Sequence, residues 1–200
     1  MLLALLIQAL SPVQPITAEQ FAQGLASNAA YRRGRFVERG LPPIEEVAAA
    51  GRDVRRLLAQ LWLPGRPPAM EIERRSDGSV TLTLAWKDRP LQRHKLAPGV
   101  WRELTALDEE VFRRPTAPPT PEEIARRGLS CHGDQGHFES AQAGKASGVS
   151  ADQCAGSLEA FTDARRRAAE IFVREAVASQ PGCRAEAAES GLDSLMSCFK

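Results

Sequence analysis

The sequence predicts an α+β domain: an antiparallel sheet with helices on one of its faces. Three observations carry that expectation. Val80, Leu82, Leu84 and Trp86 alternate with Thr81 and Thr83, which is the period of a strand with one buried face. Val100, Trp101, Leu104, Leu107 and Val111 recur instead at helical spacing. The order strands, helix, strands, helix favours an antiparallel sheet with segregated helices over a parallel, doubly wound one.

The elements follow in chain order. Thr17 with Gln20 three residues on resembles a capping box, with Phe21 and Leu25 on one helical face behind it. Pro42 and Pro43 then open a helical pattern through Ile44, Val47, Ala48, Val54, Leu57, Leu58, Leu61 and Trp62, which Pro64-Gly65 stops. The spacing predicts one long helix there. Met70 and Ile72 lead through Ser76-Asp77-Gly78 into the alternating run at Val80, a hairpin, and Leu91 to Leu96 supplies a third strand. Ala97-Pro98 starts the next helix, completing a β-β-β-α unit. The prolines at 115, 118, 119 and 121 form a stiff connector, with Thr120-Pro121-Glu122-Glu123 able to start a turn or two of helix. A second hairpin bends near Gly144-Lys145, and a long helix through Leu158, Phe161, Ala164, Ala168, Ile171 and Phe172 ends before Gln180-Pro181-Gly182, giving β-β-α. The expected organisation is therefore a leader over 1–18, an N-terminal helical segment over 19–66 and an α+β domain over 67–200, its sheet built from the two hairpin units.

A chain of 200 residues with 43% hydrophobic residues can bury one good core. Lys and Arg number 26 against 25 Asp and Glu, so no field of either sign draws in nucleic acid or anionic lipid. With a single Tyr, the chain also lacks the aromatic platforms on which unpaired bases stack. Nucleic acid is not an expected partner. Met1 to Leu10 is apolar except for Gln8, too short for the roughly 20 residues of a membrane span and of the right kind for the core of a signal peptide cut after Ala18. No Lys or Arg precedes it, an unusual feature in a leader, and the competing reading is a short buried N-terminal segment. The expectation is a periplasmic or secreted protein with no transmembrane segment in the mature chain, and a protein or envelope component as its partner.

Cys131, Cys154, Cys183 and Cys198 are an even set, which in an exported chain favours disulfides, with three connectivities open. A bend at Gln142 to Gly144 would set Cys131 opposite Cys154, leaving Cys183 and Cys198 to close a tail loop; such loops are worth about 3 kcal/mol each. The segment Cys131-His132-Gly133-Asp134-Gln135-Gly136-His137 carries the most chemistry and admits three readings. Cys131, His132, His137 and Cys154 are zinc-ligand types, but neighbours on a strand point to opposite faces and no C-x-x-C or H-E-x-x-H pair preorganises them. Cys131 could be a thiol nucleophile with His132 or His137 as base and Asp134 to orient it, unless a bridge consumes the thiol. The third reading, which the spacing favours, is a disulfide-ended strand with exposed histidines. No phosphate loop, G-x-S-x-G or C-x-x-C-H motif is present, and no cofactor is implied. The acidic clusters at Glu45-Glu46, Asp108-Glu109-Glu110 and Glu122-Glu123 suit first turns and solvated faces of helices, and Arg32-Arg33 with Arg35 and Arg165 to Arg167 read as solvated basic runs.

From about Val80 to Cys183, the Cys-His-Gly strand start, the polar hairpin closed by Cys154 and the helix ending near Pro181-Gly182-Cys183 resemble uncharacterised exported bacterial proteins. That resemblance implies an envelope location and carries no activity or functional residue with it.

Overall fold

A computed structural model describes residues 17–60, 68–113, 120, 135–152 and 162–180. The chain is an α+β protein built on one six-stranded antiparallel sheet, ordered β4-β3-β2-β1-β5-β6. The strands are β1 (Asp53–Gln60), β2 (Ala69–Arg74), β3 (Val80–Ala85), β4 (Gln92–Leu96), β5 (Gln135–Gln142) and β6 (Lys145–Asp152). The helices are α1 (Ala18–Val37), α2 (Ile44–Ala49), α3 (Pro98–Thr105), α4 (Asp108–Val111) and α5 (Asp163–Ala178). No helix among the described residues is long and apolar enough to cross a membrane.

The first correction concerns residues 44–62. The helix expected there stops at Ala49, and Asp53–Gln60 is a strand in the middle of the sheet. Gly51 is the physical reason: at φ +68° it takes the left-handed conformation that ends helices, and its amide donates to the Ala48 carbonyl at 2.9 Å. Beyond it, Val54 and Leu57 fit a 3.6-residue period by coincidence while lying on opposite faces of a strand. A Cβ at Gly51 would meet nothing within 4 Å, so Gly51→Ala tests the backbone conformation alone. It is expected to cost about 1–2 kcal/mol, read as a lower urea midpoint.

β1 also replaces the expected assembly of the sheet from two separate hairpin units. It pairs with β2 on one side and β5 on the other, so the hairpins are joined through a strand that lies N-terminal to both. Each hairpin turn follows from local chemistry. Asp77 Oδ1 accepts the Ser79 amide at 2.9 Å and Gly78 sits at φ +80°. Between β5 and β6, Ala143 and Gly144 both have positive φ, 49° and 76°, the signature of a two-residue type I′ turn.

That second turn fixes a register in which Gln142 faces Lys145 and Gln135 faces Asp152. A ladder continued in the same register would set position 156, not Cys154, opposite Cys131. The geometric basis for a Cys131–Cys154 bridge is thereby removed. Among the described residues the structure holds no disulfide, and the disulfide-stabilised reading is withdrawn. Cys131, Cys154, Cys183 and Cys198, with His132 and Asp134, lie outside the described residues.

Helices cover both faces of the sheet rather than one. On the first face Leu57, Met70, Ile72, Leu82, Leu84, Phe138 and Val149 form the main core with α3, α4 and α5, which contribute Val100, Trp101, Leu104, Val111, Ile171 and Phe172. On the second face, Phe36 of α1 and Leu41 pack on Leu58, Ala69 and Ala85, and Ile44, Val47 and Ala48 of α2 pack on Val54 and Ala141. The capping box expected at Thr17 and Gln20 forms, with each side chain bonded to the other's backbone amide. Two buried arginines tie the first face together. Arg165 of α5 donates to the carbonyls of Val111 and Arg113 at 2.9 and 2.8 Å, so one member of the supposedly solvated triple-arginine run is a buried clamp. Arg55 pairs with Asp108 and lies 5.1 Å from the centre of the Trp101 ring, which places an acid expected to face solvent against a buried cation.

Candidate functional site

The second face of the sheet carries a polar layer that its apolar patches surround. Register places Arg56 of β1 directly between Glu71 of β2 and Glu139 of β5. All three are buried. The Arg56 guanidinium reaches Glu71 Oε2 through Nε and Nη2 at 2.7 and 2.6 Å, and its Nη1 donates to the Pro42 carbonyl at 2.7 Å. Glu139 Oε2 lies 3.4 Å from the same Nη1. The Phe36 ring of α1 closes over this arginine, 5.6 Å from its Cζ. Arg52 extends the layer outward, pairing with Glu73 at 2.7 Å and with Glu71 at 3.4 Å. A buried carboxylate is tolerated here because each has a guanidinium beside it.

His137 and Ser150 face each other across β5 and β6 in the adjacent row. The imidazole Nδ1 and Ser150 Oγ are 2.8 Å apart, and Nε2 lies 3.5 Å from Glu139 Oε1. Ser, His and Glu thus form a chain of the residue types used in nucleophilic catalysis. Its placement argues against that use. His137 is 0% exposed and Ser150 7% exposed, so the hydroxyl is spent on the imidazole inside the protein rather than presented to a substrate. Burial pushes the His137 imidazole down from its ordinary value, with Arg32 and Arg33 acting in the same direction and Glu139 opposing them. These surroundings favour the neutral ring.

Of the cysteine, histidines and aspartate singled out in the segment Cys131 to His137, His137 is the one within the described residues. It is buried rather than exposed, and its neighbours Arg56, Glu71, Glu139 and Ser150 were not anticipated. A signal existed: Glu71 sits between Met70 and Ile72 in an alternating strand, which puts a charge on the face opposite the main core.

Two further places present chemistry to solvent. A cleft of about 630 Å³ opens at one end of the sheet between the α2–β1 turn and the β2–β3 hairpin, lined by Arg52, Asp53, Glu73, Arg74, Arg75 and Ser76. Its charges are largely engaged with each other, Arg74 with Asp53 at 2.6 Å and Arg52 with Glu73 at 2.7 Å. The other is the β4 edge. Among the described residues β4 has β3 as its one neighbour in the sheet, and the stretch from Lys87 to Lys95 exposes Lys87, Arg89, Arg93 and Lys95 with Asp88 as its acid. Arg93 and Lys95 stand on the second face, opposite Thr83 and Thr81. Across a chain whose charges nearly cancel, this edge is locally basic.

No protein-family model matches this chain and no curated protein matches it.

Proposed function

We propose that this protein is a non-catalytic binding module that takes up an acidic, extended segment of a partner protein along the outer edge of β4. The observation that carries the reading is the basic, exposed edge strand. A strand with a free side offers backbone donors and acceptors to an added strand, and alternate side chains select what is added. Arg93 and Lys95 would stand beside alternate side chains of such a segment, so glutamates or aspartates at every second position complement them. The same charges repel a second copy of this edge, which suits a surface that must remain open without self-association. The buried placement of His137 and Ser150 supports a role without catalysis. We place the module in the cell envelope, on the strength of the apolar run Met1 to Leu10.

The test is fluorescence anisotropy with a short labelled peptide alternating valine with glutamate, against a control of the same length and charge in which proline replaces valine. Binding is expected for the first and not the second. The double variant Arg93→Glu with Lys95→Glu is expected to weaken it about tenfold, two lost cross-strand charge pairs at up to ~1 kcal/mol each. Equal binding of the proline control would exclude strand addition. Preference for a single-stranded oligonucleotide over the peptide would exclude the protein partner.

A further inference from the structure

We propose that the Ser150–His137–Glu139 cluster is an acid-sensitive latch: protonation of the buried imidazole releases the C-terminal part of α1, with the turn to Leu41, from the second face of the sheet. The geometry sets this up in three ways. First, the cluster lies directly beneath the part of α1 that holds the sheet. Phe36 stands 6.1 Å from the His137 ring and 5.6 Å from Arg56 Cζ, and Arg33 Nε is 3.9 Å from Glu139 Oε1. Second, the cluster is incompletely bonded. His137 Nε2, Glu139 Oε1 and Arg33 Nε are buried atoms that make no hydrogen bond among the described residues, although they converge on one point. Third, β6 brings no side chain to that point: a Cβ on Gly148 would sit in ordinary contact, 3.6 Å, with His137 Nε2, Arg33 Nη2 and the Phe138 carbonyl oxygen. A polar group held with spare bonding capacity in a buried site is poised to respond to a change of charge.

The charges facing the imidazole decide the sign. From α1 come Arg32 and Arg33, from β1 Arg56, from β5 Glu139, from β6 the neutral Ser150; Glu71 of β2 and Glu45 of α2 lie one step further out, bound to Arg56 and Arg33. Glu139 is the carboxylate able to welcome an imidazolium, but it already serves Arg56 at 3.4 Å and stands 3.5 Å from Nε2. Loss of hydration outweighs its attraction, and the arginines add repulsion. A histidine whose value is lower in the closed than in the open state stabilises closure fully above about pH 6.5, the ordinary value. Closure weakens as pH falls below it, by up to about tenfold per pH unit, until the closed-state value is reached. α1 is the element that yields, because β5 and β6 are fixed by the ladder while, among the described side chains, the helix holds this face through Phe36 and its arginines.

Hydrogen exchange on the full chain, corrected for the intrinsic pH dependence, reads this out at about pH 7.5 and about pH 5. Amides of residues 31–41 are expected to lose protection by about tenfold or more on acidification while those of β2 and β3 keep theirs. In His137→Gln, which removes the titration and retains a polar side chain, that difference is expected to vanish. The latch is refuted if 31–41 keeps its protection, if helix and strands lose protection together, or if His137→Gln responds to acid like the parent. Should His137→Gln not fold, the parent alone decides: an imidazole titration midpoint, followed by NMR, at or above the ordinary histidine value refutes the latch, and one below it, together with the selective loss over 31–41, supports it.

Discussion

Arg56→Met is expected to destabilise the protein by about 3–5 kcal/mol, the cost of breaking a buried ion pair from one side. The substitution keeps most of the side-chain volume and deletes the charge, so it leaves Glu71 and Glu139 facing each other across β1 with the more distant Arg52 and Arg33 to balance them. It also orphans the Pro42 carbonyl that Nη1 satisfies. Urea denaturation followed by circular dichroism measures the loss. The explanation has a built-in control. If the cost comes from uncompensated charge, replacing Arg56, Glu71 and Glu139 together by apolar residues of similar volume is expected to recover most of it, since a buried charge network is often no more stabilising than the apolar packing that replaces it. A triple variant as unstable as the single one would mean that the network contributes shape or hydrogen bonding that apolar side chains cannot supply.

Phe172→Ala is the second large effect, about 3–5 kcal/mol. Phe172 is 1% exposed and belongs to the main core, where α5 closes over β1, β2 and β3. Removing the ring leaves a cavity among neighbours anchored on a sheet, which cannot collapse far to fill it. The neighbouring clamp of Arg165 on the carbonyls of Val111 and Arg113 holds the helix N-terminus in place and restricts that relaxation further. The expected readout is a lower urea midpoint with an unchanged slope, showing that the folded state keeps its compactness.

How much of this was legible in the sequence depended on whether local and long-range forces agreed. β2, β3, α3 and the body of α5 carry strong periodicity bounded by turn residues, and each lies where the pattern puts it, while β4, polar from Gln92 to Lys95, lies in the expected place without such a pattern. β1 was illegible for a specific reason. Its apolar residues lie on both faces of a two-sided sheet, Val54 and Leu58 toward α1 and α2, Leu57 and Ala59 toward α5, so it shows no alternation and mimics a helix. Gly51 was the available correction, since a glycine after a short apolar helix marks its end. Missing β1 also hid the polar layer, because Arg56 meets Glu71 and Glu139 only once β1 stands between β2 and β5. His137 was singled out for its chemical type, but its burial depended on Ser150 and on α1, which no spacing within the segment reveals.

Among the described residues the sheet thus combines a closed polar interior on one half of its second face with a basic edge at β4. Backbone amide shifts of the labelled protein, followed while the alternating valine–glutamate peptide is added, test that division of roles most directly. The expected result is perturbation concentrated on Gln92–Leu96 and the facing residues of β3, with the polar layer around Arg56 and His137 unmoved. Shifts centred instead on the cleft between Gly51 and Gly78, or on Ser150 and His137, would contradict the account and place the working surface elsewhere.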